Sequence, residues 1–279
     1  MGEAVNLTPS SRGGQGRRRA WRPGIAIWFS AGFHIAALLA LLARPQWWPS
    51  ILTALVLNHV VLALIGLWPR SRLLGANMLR LPDAAASRNE IALTFDDGPD
   101  PDVTPKVLDI LDSHHAKASF FVIGDKASAY PELIREIVKR GHSIENHSQK
   151  HSSVFGLFAW TALMKDIGAA QEIIAGITGR SPTFFRSPMG IRNPLLDPVI
   201  ARFGLRYITW TRRGFDTVAS DAAVVLKRLT RKMSAGDILL LHDRRTHGQR
   251  AMVVEVLPAL LDRIAAAGLK PVSLPLAMQ

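Results

Sequence analysis

Two long uncharged runs occupy the first third of the chain. Residues 24–43 and residues 50–68 contain no Asp, Glu, Lys or Arg. About twenty such residues in a helix are enough to cross the hydrocarbon core of a bilayer, which is about 30 Å thick. Amphipathic tryptophan rings favour the membrane interface, and four lie near the ends of these runs: Trp21, Trp47, Trp48 and Trp68. The pattern predicts two transmembrane helices within residues 21–69, joined as a hairpin.

Two other interpretations of these runs are weaker. Arg residues before the first run are typical of a signal peptide, but that run is long and no small-x-small cleavage site closes it. A second run also follows at once. Either run could instead be a buried core helix, although two uncharged runs of this length make that interpretation less favourable.

From residue 90 onward, short β-rich segments alternate with segments of helical spacing. The segments with strand character are 91–95, 118–123, 142–145, 184–186, 206–210, 237–242 and 271–274. The helical segments between them are 103–115, 131–140, 159–177, 194–203, 221–233 and 253–267. Such alternation predicts βαβ units and a parallel sheet. About seven repeats favour an α/β fold with a closed or nearly closed (β/α) barrel. An open doubly wound sheet remains an alternative.

These patterns divide the chain into four parts. We expect a disordered basic N-terminus over residues 1–20, because that segment is too polar to bury a core. The two transmembrane helices occupy residues 21–69, a linker follows over residues 70–88, and the catalytic domain covers residues 89–279.

The net charge of +12 is unevenly distributed. Residues 1–82 hold nine Arg and one acid, a net of +8, whereas residues 83–279 hold 25 basic and 21 acidic residues, a net of +4. A nucleic-acid-binding protein would carry its charge on the folded domain, so no nucleic-acid partner is expected. Five Arg precede the first run, one lies between the runs, and three follow the second closely. This distribution predicts an integral protein of the cell (inner) membrane with both chain ends and the catalytic domain in the cytoplasm.

The residues suited to catalysis fall at the carboxyl ends of the predicted strands. In a (β/α) barrel those ends form one face, and active sites are built there. The residues are Asp96, Asp97, His147, His151, Arg186, Asp216, His242 and Asp243. The chain has no Cys, so a metal would need His and carboxylate ligands.

The pair His147 and His151 suits a metal ion. On a helical turn, residues four apart face the same way and can share one ion. Two His and one carboxylate form an open hydrolytic zinc site that leaves a position for water. The adjacent Asp96 and Asp97 could divide the roles of ligand and base. A solvated His pair and an ordinary Asp-Asp-Gly-Pro turn are the structural alternatives.

Two further residues have both a catalytic and a structural interpretation. His242 ends an apolar strand, where it could be a general acid or a core histidine with satisfied hydrogen bonds. Arg186 could be a surface cation, but beside Asp96 it would keep that carboxylate ionised.

Taken together, these residues resemble the motifs of the polysaccharide deacetylase family, the NodB-like carbohydrate esterases. The matching stretches are TFDDGP at 94–99, HSQKH at 147–151, RSPMG at 186–190 and LLLHD at 239–243. Their order and spacing also agree with the family. The resemblance covers roughly residues 88–275 and leaves out the predicted hairpin.

The resemblance implies a deformed (β/α) barrel, a divalent metal that is usually Zn²⁺, and hydrolysis of N-acetyl groups on amino sugars. It implies that Asp97, His147 and His151 bind the metal. It also implies that Asp96 is the general base and that His242 is the general acid.

The same resemblance assigns supporting roles. Arg186 would position Asp96, Asp216 would pair with His242, and the backbone N–H of Met189 would help to hold the oxyanion. Two positions depart from the family, which often has an aromatic residue where Met189 stands and a Trp where Thr217 follows Asp216. These departures concern the walls of the sugar groove more than the metal.

The expected partners are an N-acetylated glycan or lipid-linked amino sugar and, through the two helices, membrane lipid. Five arginines on loops after the strands suggest an anionic substrate, such as a phosphate-linked lipid that carries an N-acylated amino sugar. They are Arg192, Arg212, Arg213, Arg244 and Arg245. The alternatives are a non-catalytic glycan-binding domain on the same fold and a glycosidase that uses two carboxylates.

Overall fold

The computed structural model describes residues 20–245 and 251–279. The expected disordered N-terminus therefore lies outside the described residues, except for residue 20. Helix α1 (Ile25–Ala43) and helix α2 (Trp48–Gly66) are separated only by a 3₁₀ turn over Pro45–Trp47.

Polar groups join α1 to α2. The Asn58 Nδ2 group donates to Ser30 Oγ at 2.9 Å, and the His34 and His59 rings meet edge to face with centroids 5.2 Å apart. Most large apolar side chains of the two helices are exposed. Both helices are long and apolar enough to cross a membrane by length and composition, and together they fit a hairpin.

The segment between the hairpin and the sheet is packed against the sheet. It contains the short helix α3 (Asp83–Ser87), and Met78 forms a parallel bridge with Ile208. Leu74 and Leu81 are buried. The residues expected to form a linker thus extend one edge of the sheet.

The remaining elements alternate as the hydrophobic pattern predicted. The strands are β1 (Glu90–Asp96), β2 (Ser119–Val122), β3 (Ser143–Asn146), β4 (Phe184–Phe185), β5 (Arg206–Tyr207), β6 (Arg212–Arg213), β7 (Ile238–His242) and β8 (Lys270–Val272). The helices are α4 (Thr104–Ser113), α5 (Gly124–Ala129), α6 (Pro131–Lys139), α7 (Trp160–Thr178), α8 (Leu196–Arg202), α9 (Ala222–Thr230), α10 (Met252–Ala266) and α11 (Leu274–Ala277). Helix α5, helix α11 and strand β6 have no counterpart of the same type among the predicted segments.

The strands form one curled parallel sheet in the order β5-β4-β3-β2-β1-β7-β6, with β8 paired to the first half of β1. This arrangement confirms the predicted α/β class and barrel-like sheet, in place of the doubly wound alternative. Residues of β1, β2 and β7 are buried on both faces, because helices cover the outside and the curled interior is filled by side chains. Phe120 packs with the outer helices, whereas Phe121 points into the interior with Phe184.

Candidate active site

Three potential metal ligands converge at the carboxyl ends of β1 and β3. The ligand atoms of Asp97, His147 and His151 all lie within 4.8 Å of one another. Asp97 Oδ1 is 3.3 Å from His147 Nε2 and 3.2 Å from His151 Nε2. Ligands that bind zinc tetrahedrally at about 2.1 Å lie about 3.4 Å apart, so the spacing suits a shared ion.

Two further observations fit a metal at this position. Asp97 Oδ1 is buried and has no hydrogen-bond donor. The His147 Nδ1 group lies 2.8 Å from the Arg186 carbonyl oxygen. When Nδ1 donates to that oxygen, Nε2 is left unprotonated and turned toward Asp97, as in many metal-binding histidines.

The charges of this cluster hold Asp97 ionised. Burial alone would raise the pKa of the Asp97 carboxyl, but the close approach and charge of His147, together with the charges of His242 and His151, hold it well below its usual range. The backbone here is also unusual, because four non-glycine residues around the site have positive φ angles: Asp97, Ser148, His151 and Met189. Such conformations cost free energy and cluster at functional sites.

Asp96 is held by a buried arginine. Arg186 is fully buried, and its Nη1 group donates to Asp96 Oδ1 at 2.6 Å and to Thr94 Oγ1 at 2.9 Å. Its Nη2 group donates to the Thr209 carbonyl oxygen at 2.9 Å, and the guanidinium lies over the Phe121 ring at 4.2 Å. The arginine is therefore part of the barrel interior and fixes one oxygen of Asp96, leaving Oδ2 directed toward His147 at 3.9 Å.

His242 lies beside Asp96 because the two residues are register partners on β7 and β1. Both oxygens of the Asp216 carboxylate contact His242. Oδ1 is 2.9 Å from His242 Nδ1, and Oδ2 accepts the His242 backbone N–H at 2.8 Å. Burial alone would lower the pKa of His242, but the hydrogen bond and charge of Asp216, with the charges of Asp97 and Asp96, raise it above its ordinary value. The imidazole is thus prepared to hold a proton.

These groups open into one cavity of about 150 Å³. Its lining includes Asp96, Asp97, His147, His151, Met189, Gly190, Trp210, Arg213, Thr217, Leu240, His242 and Arg244. Arg186 and Asp216 stand behind the lining and contact it. Sequence reasoning missed Trp210 as a wall residue, although its position at the end of a predicted strand was the available signal.

Only two of the five arginines expected at the mouth line the cavity, Arg213 and Arg244. Arg192 is buried and donates to the Ser71 carbonyl oxygen at 2.6 Å, while Arg245 pairs with Asp102. The expectation of a five-arginine rim is therefore wrong.

The two neighbouring arginines on β6 point in opposite directions. Side chains alternate across a strand, so Arg212 turns to Asp237 while Arg213 turns to the cavity. The Arg213 guanidinium lies between the Trp210 and Phe215 rings, at 5.3 and 4.8 Å from their centroids.

Arg244 comes close to the candidate metal ligands, since its Nε lies 2.8 Å from Asp97 Oδ2. Both Arg213 and Arg244 therefore add positive charge to a cavity whose floor carries two carboxylates.

Comparison with known proteins supports the resemblance found in the sequence. Residues 83–208 match a family model described as polysaccharide deacetylase. A chitooligosaccharide deacetylase of Azorhizobium caulinodans is 34% identical over 167 residues, which cover 60% of this chain and 79% of that protein. A peptidoglycan-N-acetylglucosamine deacetylase of Bacillus cereus is 29% identical over 191 residues, 68% of each chain.

Solved structures agree on the fold. The peptidoglycan deacetylase PdaC from Bacillus subtilis superposes with a TM-score of 0.61 at 27% identity, covering 68% of this chain and 90% of that one. A CE4 family pseudoenzyme from Bacillus anthracis gives a TM-score of 0.66 at 22% identity, covering 73% of this chain and 69% of that one. The second likeness concerns the fold alone.

Proposed function

The chain belongs to the polysaccharide deacetylase family, and from this we propose that it is a metal-dependent hydrolase that removes N-acetyl, or similar N-acyl, groups from amino sugars. One observation carries the proposal. A buried Asp97 oxygen without a donor faces two imidazoles, beside a carboxylate held by Arg186 and a histidine held by Asp216. We propose that Asp97, His147 and His151 hold the metal, most simply Zn²⁺.

A metal held by Asp97, His147 and His151 would polarise the amide carbonyl and the attacking water. Asp96 accepts the proton of that water, and Arg186 keeps its carboxylate in position. The backbone N–H of Met189 donates to the oxyanion as the carbonyl carbon becomes tetrahedral. His242, whose pKa is raised by Asp216, gives its proton to the leaving nitrogen. The carbon–nitrogen bond breaks, and acetate and a free amino sugar leave.

The alternatives fit the geometry less well. A glycosidase needs two carboxylates on opposite sides of a glycosidic bond, whereas Asp96 and Asp97 are sequence neighbours and Asp97 is engaged with two imidazoles. A non-catalytic binding domain would not need a base and an acid that are each fixed by a buried partner.

Metal analysis together with acetate release tests this proposal. Purified protein should release acetate from an N-acetylated glycan and should stop when treated with a chelator. The double variant His147→Ala, His151→Ala should lose both bound metal and activity, because it lacks two of three ligands. His142→Asn, at the other end of the same strand, is the matched control and should keep both. Full metal occupancy in the double variant would rule out the assignment.

We further propose that the substrate is anionic, such as a phosphate-linked lipid that carries the N-acylated sugar. Arg213 and Arg244 support this, because arginine matches phosphate oxygens with parallel hydrogen bonds. Met189 and Thr217, the two departures from the family, both line the cavity and would shape the sugar site. Michaelis constants of an Arg213 variant for charged and neutral substrates test the idea.

We also propose the division into a basic N-terminus (1–20), a transmembrane hairpin (21–69), a connecting segment (70–88) and a catalytic domain (89–279), in the inner membrane with the catalytic domain in the cytoplasm. The arginine distribution supports this orientation. An alkaline phosphatase fused after Gln279 should be inactive. An active fusion would place the domain outside and favour a cell-wall substrate.

A further inference from the structure

The hairpin ends directly on a wall of the cavity. The Arg192 backbone N–H donates at 3.1 Å to the carbonyl oxygen of Gly66, the last residue of α2. A Cβ on Gly66 would lie 2.0 Å from the Arg192 carbonyl oxygen, so this close approach requires glycine. Pro69 lies against Gly190, where a Cβ would be 2.7 Å from the Pro69 Cβ. Since Gly190 lines the cavity, the end of the hairpin and the cavity share this loop.

This contact limits how far the cavity lies from the end of the apolar span. Pro69 is the third residue after Gly66, and three residues extend at most about 10 Å. The interfacial layer on each side of the hydrocarbon core is roughly 5 to 8 Å thick. With α2 in a bilayer, the Gly190 wall of the cavity therefore lies within or just beyond the layer of the lipid headgroups.

Exposed apolar side chains lie on the loops that also carry residues of the cavity lining. We define the collar as Leu157, Met189, Leu195, Phe215 and Val218, which lie on loops that follow the carboxyl ends of β3, β4 and β6. Leu157 is 84% exposed and Val218 is 80% exposed. Apolar groups gathered around a polar opening mark a surface that meets a partner or a membrane.

The collar is fixed relative to the hairpin. Asn193 Nδ2 donates to the carbonyl oxygens of Gly156 and Phe158 at 3.1 and 2.9 Å, so the turn that carries Leu157 is tied to the loop that touches Gly66. Across the cavity, the lining residue Thr217 stands between Phe215 and Val218 in the chain. The collar thus borders the cavity on both sides.

Charge at the base of the hairpin suits the same environment. Arg22, Arg70 and Arg72 flank the two spans and are exposed. Basic groups next to a span are attracted to anionic lipid phosphates.

We propose that the collar inserts into the bilayer interface, so that the cavity opens among the lipid headgroups and receives an N-acylated amino sugar displayed on a membrane lipid. The chemistry of this inference rests on the proposed deacetylase activity, whereas the docking of the collar rests only on the proposed membrane hairpin. The relation between collar and bilayer is the same for either orientation of the hairpin. A soluble polymer would have to reach the cavity from the membrane side.

Site-specific fluorescence in vesicles tests the docking. The natural chain has no Cys, so single-cysteine variants of the full chain can be labelled cleanly. Leu157→Cys and Val218→Cys report on the collar. Leu276→Cys is the matched control, because Leu276 is 44% exposed and lies beside Gly141 and Thr183, which precede β3 and β4 on the opposite face. Each variant carries an environment-sensitive nitrobenzoxadiazole label in phosphatidylcholine–phosphatidylglycerol vesicles, with and without lipids that bear a nitroxide near the headgroup.

We expect labels at positions 157 and 218 to shift to shorter wavelength and to be quenched by the nitroxide lipids, with little change at position 276. Equal quenching at all three positions, or none at the collar, would overturn the proposal. A wavelength shift at the collar without lipid quenching would also overturn it, because a second protein chain would then cover the collar. Turnover is not needed, so failure of the deacetylase assignment would be seen separately in the acetate assay.

Discussion

Two buried aspartates at opposite ends of the same parallel sheet differ in their hydrogen-bond partners. At the amino ends, Asp237 is fully buried, and its carboxylate accepts hydrogen bonds from the Arg80 and Arg212 guanidinium groups and the Ser234 backbone N–H. At the carboxyl ends, Asp97 is also buried, but its Oδ1 has no donor and faces two imidazoles. Buried carboxylates normally find donors, so an unpaired Asp97 oxygen that faces two imidazoles suits a ligand from outside the chain.

Cavity volume does not identify the end that carries the candidate active site. The amino-end cavity that includes His142 and Leu276 has a volume of about 360 Å³, larger than the catalytic candidate at about 150 Å³. Among the described residues, however, the cluster able to hold a metal lies at the carboxyl ends. A cluster of side chains that can share a ligand therefore identifies the candidate site better than cavity volume does. Substitutions at the two ends of the sheet should accordingly have different consequences.

Among the single substitutions, the largest effect should come from Asp96→Asn. The amide cannot accept the proton of the attacking water, so kcat should fall by roughly 10²- to 10⁴-fold. Bound metal should be retained, because Asp96 is not one of the three proposed ligands. Acetate-release kinetics and metal analysis of the same preparation measure both quantities. If metal were lost together with activity, Asp96 would be a ligand and the assignment of base and ligand would need to be reversed.

Asp216→Asn should change the pH dependence of turnover. The pKa of His242 is raised by Asp216, and a general acid acts while protonated, so activity declines as pH rises through that pKa. Loss of one opposite charge lowers the pKa of a histidine by about 1 unit or more, equivalent to roughly a tenfold loss on the basic side. The basic limb of the kcat profile should therefore move to lower pH. A uniform fall in kcat at every pH would show that Asp216 only supports the fold.

The adjacent arginines of β6 provide a matched pair for the two faces. Arg213→Ala should raise the Michaelis constant for a phosphate-bearing substrate by roughly ten- to 150-fold, since a charged hydrogen bond contributes roughly 1.5 to 3 kcal/mol. It should leave the Michaelis constant for a neutral N-acetyl sugar unchanged. Arg212→Ala should leave both Michaelis constants unchanged and lower stability, because it removes a partner of buried Asp237. Equal responses of charged and neutral substrates would refute the anionic-substrate proposal.

The same residues show what the sequence could predict. The sequence predicted the alternation of strands and helices. It also predicted that Asp96 and His242 share one face, because each ends an apolar strand and parallel strands end together. The direction of Arg212 was not readable, since β6 has only two residues and gives no periodicity. The parallel bridge between Met78 and Ile208 could not be predicted from the sequence either, because it depends on an open sheet edge that distant parts of the chain create.

The smallest effect on activity should come from His142, although it is buried close to β3. Its Nδ1 accepts the Ala118 backbone N–H at 3.2 Å, and it stands five residues before His147 at the amino end of the strand. Burial, with the charges of Lys117 and Arg140, lowers the pKa of His142 to about 4, against the weaker opposing charge of Asp112. The folded protein therefore holds this histidine neutral at pH values where the unfolded chain would protonate it.

The sign of the resulting pH dependence follows from linkage. An unfolded histidine has a pKa of about 6.5, so between pH 6.5 and 4 the unfolded state binds the extra proton and stability falls with falling pH. The loss is at most about 3 kcal/mol. His142→Asn can still accept the Ala118 N–H but cannot titrate, so its melting temperature should fall less than that of the natural chain between pH 7 and pH 5. Acetate release at pH 7 should be unchanged. An equal fall in melting temperature for both proteins would show that His142 does not contribute to this pH dependence. A large loss of turnover would show that the amino-end face is coupled to the catalytic face.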